Sequence, residues 1–411
     1  MPFALVLMMG LVFLGSGQTL PLDHPAIGYS SLPFTDPVTE LSRKIERGQV
    51  RLAFDPVTGY LPAVLKALDI PVESQMAVFS KTSIQAIRID PSNPRVLFFN
   101  DAVIAGWVRG GFVELASHDP RRGMVFYRLD QRLSEYRKRI AAAAPASPFT
   151  RREDCLRCHM TAATQGVPGV LLRSVFPSRS GVPLDRAAQY DTDGRMPFDK
   201  LWGGWYVTGN SGPARHMGNL VAADEAHPES MLQGAPVHLD SIEGQCGPNT
   251  RLTPYSDIAA LLVFEHQVRM MNLLTRAGWD SRIALAGHHA LDRPARAALD
   301  ELADSMLFAG EAPLQGEVAG TSGFAEAFAS RGPRDSQGRS LRDLSLRGRL
   351  LRYPCSYMIY SEAFDALPTA AQDAVYRRMW KALAAKPAAD RRAIVQILRE
   401  TKPGLPRYFR P

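Results

Sequence analysis

Residues 151–160 read RREDCLRCHM, and three of them could do chemistry together: Cys155, Cys158 and His159. Two thiols three positions apart, followed at once by an imidazole, admit three uses. They could add across the two vinyl groups of a haem, the two-residue spacer letting both sulfurs reach one porphyrin edge while the imidazole falls beneath the iron as proximal ligand. They could form part of a structural zinc site, which needs four ligands, or act as a dithiol redox pair. The rest of the chain disfavours the last two. No second Cys-x-x-Cys or paired-His motif supplies further zinc ligands, and the motif follows a proline-broken basic segment instead of the strand-to-helix junction of a dithiol oxidoreductase. One covalently attached haem c is the expectation.

The iron's far side then decides what such a haem does. A second protein ligand leaves a site fit for electron transfer, whereas an open position admits peroxide, oxygen or another small molecule. Three residues are candidates for that sixth ligand. His266 shares an apolar stripe with Ala259, Leu262, Met270 and Leu273 in the helical stretch Ser256–Ala277. His216 and Met217 lie in SGPARHMGN, and the separation of Met217 from His159 is like that between the haem ligands of a small cytochrome c. Met160, next to the proximal His, is directed away from the distal side. Arg215, with Arg151, Arg152 and Arg173, could pair with haem propionates. Trp205, with Trp202 and Tyr206, could pack on the porphyrin.

Composition bounds the partners. The chain has 411 residues, 45% hydrophobic and 22% charged, as in a globular protein with a sizeable core, and a net charge of +7. That charge is spread over scattered arginines, which does not suggest a nucleic-acid footprint and suits attraction of an acidic redox partner in the cell envelope. An apolar run from Phe3 to Leu14, followed by Gly15, Ser16 and Gly17, reads as a signal peptide over residues 1–18, with a retained N-terminal anchor as the alternative. No other stretch approaches the ~20 apolar residues of a membrane span. The expected location is periplasmic or secreted. In such an oxidising compartment the other two cysteines, Cys246 and Cys355, are expected to form a disulfide.

The elements that must position the motif change in character along the chain. Asp36-Pro37 opening and Gly48 closing an apolar-periodic stretch predict a short helix. From Val50 to Leu129 the runs VRLAF, MAVFS, AIRI, RVLFF, VIAGWV, GFVEL and MVFYRL, separated by turn residues, predict strands. Leu133–Ala144 predicts a helix broken by Pro145 and Pro148. Glycines and prolines then dominate to about Asn249, and helices are predicted at Ser256–Ala277, Pro294–Phe308, Gly323–Ser330, Cys355–Leu367, Thr369–Ala385 and Asp390–Glu400. The fold class is α+β: a β-rich region over 19–130, a loop-rich haem-attachment region over 131–250, and an all-helical region over 251–411 packing on the haem.

The motif resembles that of c-type cytochromes. More widely, VFSKTS, FFNDAV, CLRCH, WGGWYVTGN, RHMGN, FEHQ, GTSGFAE, RGPRDSQGRSLRD, YPCSY and SEAFDALP, spread over residues 30–406, resemble a group of large single-haem cytochrome-c-like proteins of the bacterial cell envelope. The resemblance implies haem and location more than a reaction. It also implies a second His in the helix of His266, where this chain has Met271. The expected function is electron transfer by an exported monohaem cytochrome. The alternatives are a haem-dependent periplasmic oxidoreductase, peroxidase- or oxidase-like, with an open distal site, and a haem-based sensor or binding module. A second Cys-x-x-Cys-His, as in two-haem bacterial peroxidases, is absent.

Overall fold

The computed structural model describes residues 19–131, 148–185, 187–233, 237–385 and 388–409. Strands β1 (Met76–Val78), β2 (Arg95–Phe99), β3 (Val103–Trp107), β4 (Val113–Asp119), β5 (Gly123–Leu129) and β6 (Phe149–Arg151) follow one another. Strands β7 (Leu172–Ser174) and β8 (Tyr190–Thr192) pair with each other, and β9 (Trp205–Tyr206) closes the main sheet. That sheet is seven-stranded and antiparallel, in the order β6-β5-β4-β3-β2-β1-β9. The strand pattern expected from the short apolar runs is present, with two differences. VRLAF at 50–54 forms no element, and AIRI makes a single 3-10 turn, Ala86–Arg88. Each run buries only part of its apolar side chains: Val50 and Leu52 pack on the core and Ile89 is buried, while Phe54 is exposed and Ile87 more so.

Side chains alternate across the sheet with period two, which gives it two different faces. Val96, Phe98, Val103, Ala105, Trp107, Val113, Leu115, Val125 and Tyr127 point to one side, where the N-terminal segment covers them. Helix α1 (Pro37–Glu46) contributes Val38 and Leu41 there, and α2 (Leu61–Ala67) contributes Leu61, Val64 and Leu65. The predicted N-cap of α1 is present: Asp36 accepts from Val38 N at 3.0 Å and Thr39 N at 3.2 Å. Met76, Leu97, Phe99, Ile104, Met124 and Phe126 point to the other side, against the helical half.

After the one-turn α3 (Leu156–His159), the helical half is built around α4 (Ile258–His288), nearly all of which is buried. A helix buried on all sides has no solvated stripe, and its polar groups must find internal partners. Gln267 donates to Asn100 O at 2.8 Å and accepts from Tyr357 Oη at 2.8 Å; Arg269 reaches Glu301 at 3.0 Å; Thr275 Oγ1 meets His118 Nε2 at 3.0 Å. The helix does not end at Gly278, as its sequence suggests, but at His288, with His289 as its left-handed cap. A Cβ on Gly278 would lie 2.7 Å from Arg282 Nη1 and 3.3 Å from Leu367 Cδ2, so this glycine makes room for neighbouring side chains instead of stopping the helix. Helices α5 (Arg293–Met306), α6 (Phe324–Ser330), α7 (Glu362–Asp365), α8 (Thr369–Ala384) and α9 (Ala389–Thr401) complete this half. The stretch Cys355–Leu367 forms a 3-10 turn, Tyr357–Tyr360, and the short α7, because Ser356 and Ser361 each cap a new start. The helix expected at Leu133–Ala144 lies outside the described residues.

The protein is therefore α+β, with a β-rich N-terminal half and a helical C-terminal region. One apolar core joins the sheet face, the middle segment and the helices, so the boundaries near 130 and 250 are changes of element type inside a shared core. Among the described residues no helix is long and apolar enough to cross a membrane. The expected disulfide is absent. Cys355 is fully buried in the core against the helices, whereas Cys246 packs half-buried beyond the other face of the sheet, its Sγ donating to Ile242 O at 3.4 Å. The sheet lies between the two thiols.

Candidate functional site

The motif sits immediately after the sheet's edge strand and runs into a helix, so, contrary to the sequence expectation, it does stand at a strand-to-helix junction, although that strand is antiparallel to its neighbour and belongs to no βαβ unit. A 3-10 turn, Glu153–Cys155, leads into α3, so Cys155, Cys158 and His159 lie on little more than one helical turn. Both cysteines are free thiols, Cys155 half-buried and Cys158 exposed. Burial pushes the Cys155 thiol up to about 11, with Asp154 adding to the effect. A dithiol oxidoreductase needs a thiolate at neutral pH, so Cys155 is poorly suited to that role.

His159 is held by two contacts. Its ring packs on Phe126 of β5 with centroids 4.7 Å apart, and its Nδ1 lies 3.1 Å from the carbonyl oxygen of Gly169. A carbonyl only accepts, so Nδ1 carries the proton and Nε2 keeps its lone pair. Nε2 has no partner among the described residues. Burial holds the imidazole's pKa below the ordinary value and so favours the neutral ring, against the opposing effect of the hydrogen bond that Nδ1 donates to the Gly169 carbonyl. The backbone is tied in as well, Gly169 N donating to His159 O at 2.8 Å.

Gly169 is fixed in turn from the helical half. Asn272 of α4 accepts from Val170 N at 2.9 Å and donates to Val170 O at 2.8 Å. A Cβ on Gly169 would fall 2.3 Å from Asn272 Oδ1 and 3.0 Å from Thr164 Cβ, so only glycine fits between the motif and the helix. The core helix thus sets the tautomer of a histidine on the far side of a loop.

Of the arginines expected near the site, Arg173 is among the charges acting on His159, and Arg95 joins it unexpectedly. Arg95, Glu114 and Arg173 are the charged groups whose fields reach its ring. Glu114 accepts from Arg95 at 2.9 Å, Ser83 at 2.9 Å and Gln85 at 3.0 Å, while Arg95 Nε is buried without a partner. Arg173 pairs with Asp191 at 3.1 Å and offers its backbone carbonyl to Trp205 Nε1 at 2.9 Å. Arg151 and Arg152 are paired locally, with Glu153 at 2.7 Å and with Asp154 at 2.8 Å, and Arg215 donates to Leu232 O at 3.0 Å on the surface. Arg95 is brought to the motif by strand register, which no local spacing in the sequence reveals.

None of the three distal candidates contacts the motif. His266 is fully buried with both nitrogens engaged: Nδ1 meets Glu311 Oε1 at 2.5 Å, and Nε2 meets Ser356 Oγ at 2.8 Å. No lone pair is left for iron. Met217 is buried, with Ser174 Oγ at 3.6 Å from its sulfur. His216 packs edge-on against Trp202 at 5.4 Å, and its Nδ1 has no hydrogen-bonding partner of good geometry, although the Gly218 backbone runs alongside. Burial in that wall pushes the His216 pKa down to about 4.

The Ser356, His266 and Glu311 contacts have the order of a serine hydrolase triad, which the sequence does not announce because the three lie far apart along the chain. Ser356 is fully buried, however, and its oxygen also accepts from Met358 N at 3.2 Å. A nucleophile must reach substrate, so Ser356 is a structural cap and the network instead positions Glu311. Among the described residues no group of three or more His, Cys, Asp or Glu side chains is placed to hold a metal ion. Compared with known proteins, the chain matches no family model, no curated protein and no solved structure.

Proposed function

We propose that the chain is an exported cytochrome with one covalent haem c, bound through Cys155 and Cys158 with His159 as proximal ligand, that exchanges electrons with a protein partner in the cell envelope. The observation that carries this reading is the pairing of His159 Nδ1 with the Gly169 carbonyl beside two free thiols. A metal-binding His characteristically donates its other ring N–H to such an acceptor. The haem would supply one-electron redox chemistry at the iron. The chain's own residues hold the ring nitrogen unprotonated and orient it on Phe126, and Arg95, with its unpaired buried Nε, and Arg173 are the cations whose charge acts on the ring and that could pair with propionates. The apolar run Phe3–Leu14 supports export, and haem attachment of this kind takes place outside the cytoplasm.

A second reading, a haem-dependent oxidoreductase with an open distal position, is favoured by one observation: His216, Met217 and His266 all pack away from the motif. Optical spectra separate the two. A low-spin ferric form whose reduced state ignores carbon monoxide supports the carrier. A high-spin form that takes up carbon monoxide supports the oxidoreductase. Absence of any haem band, after export alongside the attachment machinery, contradicts both.

A further inference from the structure

A cavity of about 280 Å³ opens in the helical half, sharing no residue with the Cys-x-x-Cys-His motif. Its walls are apolar and partly aromatic, with Phe198, Leu201, Leu262, Phe308, Leu314 and Leu350 prominent. Two carboxyl groups converge on it. Glu265, only 3% exposed, receives a hydrogen bond from Thr192 Oγ1 at 2.9 Å on Oε1, while Oε2 is buried without a partner. The Trp202 indole N–H, likewise without a partner, lies near it but outside hydrogen-bonding geometry. Glu311, the second group, is held on Oε1 by His266 and has no partner on Oε2 among the described residues. Among the described residues the one cation lining the cavity, Arg349, is already bound to Asp390 at 2.7 Å. An apolar pocket with a few convergent polar groups is the form of a small-molecule site, and an unsatisfied buried carboxyl oxygen inside one is costly unless something pairs with it.

We propose that this cavity binds a small aromatic ring bearing a hydroxyl group, the ring between Phe198 and Phe308 and the hydroxyl donating to Glu311 while accepting from Glu265. Size agrees, since a cavity of roughly 150 Å³ already admits benzene. So does charge: burial pushes the Glu265 pKa up to about 8, so at neutral pH its carboxyl keeps a proton to donate. The Ser356–His266 chain fixes the acceptor, Glu311. This site does not depend on the haem reading.

Titration calorimetry on the full chain tests it with hydroquinone, its dimethyl ether, and benzylamine. Hydroquinone should bind, and the ether at least about tenfold more weakly, as befits loss of a hydrogen bond to a charged acceptor. Glu311→Gln should weaken hydroquinone by a similar factor. Ala312→Phe, a change at the half-exposed cavity lining, should abolish binding while leaving the unfolding midpoint in place, which keeps the test valid if Glu311→Gln does not fold. No hydroquinone binding, equal binding of the ether, tighter binding of benzylamine, or binding unaffected by Ala312→Phe would each overturn the proposal.

Discussion

At His159 one backbone carbonyl decides what the imidazole can do, and Gly169 supplies it only because it has no side chain. Gly169→Ala forces Asn272 and Thr164 apart, so the account predicts a folded but loosened protein in which haem incorporation falls several-fold, measured as haem absorbance per mole of chain. Unchanged incorporation would show that the carbonyl is dispensable. Glu265 gives a second prediction at this scale. Its pKa is raised from 4.5 to about 8, so the folded state holds a proton that the unfolded state releases, and stability falls as pH rises through that window. The slope is at most about 1.4 kcal/mol per pH unit. Glu265→Gln should flatten the loss between pH 5 and pH 8 in urea unfolding; an equal slope in both proteins would refute it. At this scale the nearness of Cys155, Cys158 and His159 was legible from spacing alone, since residues so close in sequence fall on little more than one turn. Arg95, Glu114 and Gly169 were not, because register and the packing of a distant helix bring them in. The apolar stripe that made His266 look like a ligand instead buried it between Glu311 and Ser356.

Among the elements, α4 is the one on which both sites depend. Asn272 braces the loop carrying Gly169, and Glu265 and His266 face the cavity region a little under two turns away. Asn272→Ala would leave the buried N–H and C=O of Val170 unpaired, a loss of about 2–4 kcal/mol by unfolding, with haem loading reduced in parallel. Loss of stability without any change in loading would separate the brace from the site. Asp36 plays a comparable part on the other face of the sheet, capping α1 and accepting from Tyr127 Oη at 2.7 Å, so Asp36→Ala should cost about 2 kcal/mol, above an ordinary cap. Element type was well marked in the sequence wherever alternation or caps were strong, as in β2 to β5 and α1. It misled where a glycine made room for a neighbour, at Gly278, or where an apolar run packed on the core without pairing as a strand, at 50–54.

For the whole molecule, the shared core means that strands, middle loops and helices should unfold together, and the lack of a cross-link means that reductant should not matter. Thermal unfolding with and without dithiothreitol is expected to give the same midpoint, and thiol titration of the unfolded, haem-loaded chain to find Cys246 and Cys355 both reactive. A reductant-sensitive midpoint would restore the disulfide that the separation of the two thiols by the sheet argues against. The compartment made that disulfide a reasonable expectation from sequence, but pairing depends on where a sheet places two residues, which composition does not encode. The central claim is the covalent haem, and mass spectrometry of the denatured protein tests it most directly. After export alongside the haem-attachment machinery, the account predicts an intact mass increased by one haem, carried by the peptide that contains Cys155 and Cys158 and lost when both are changed to Ala. A chain of unmodified mass with both thiols free to alkylate would contradict it.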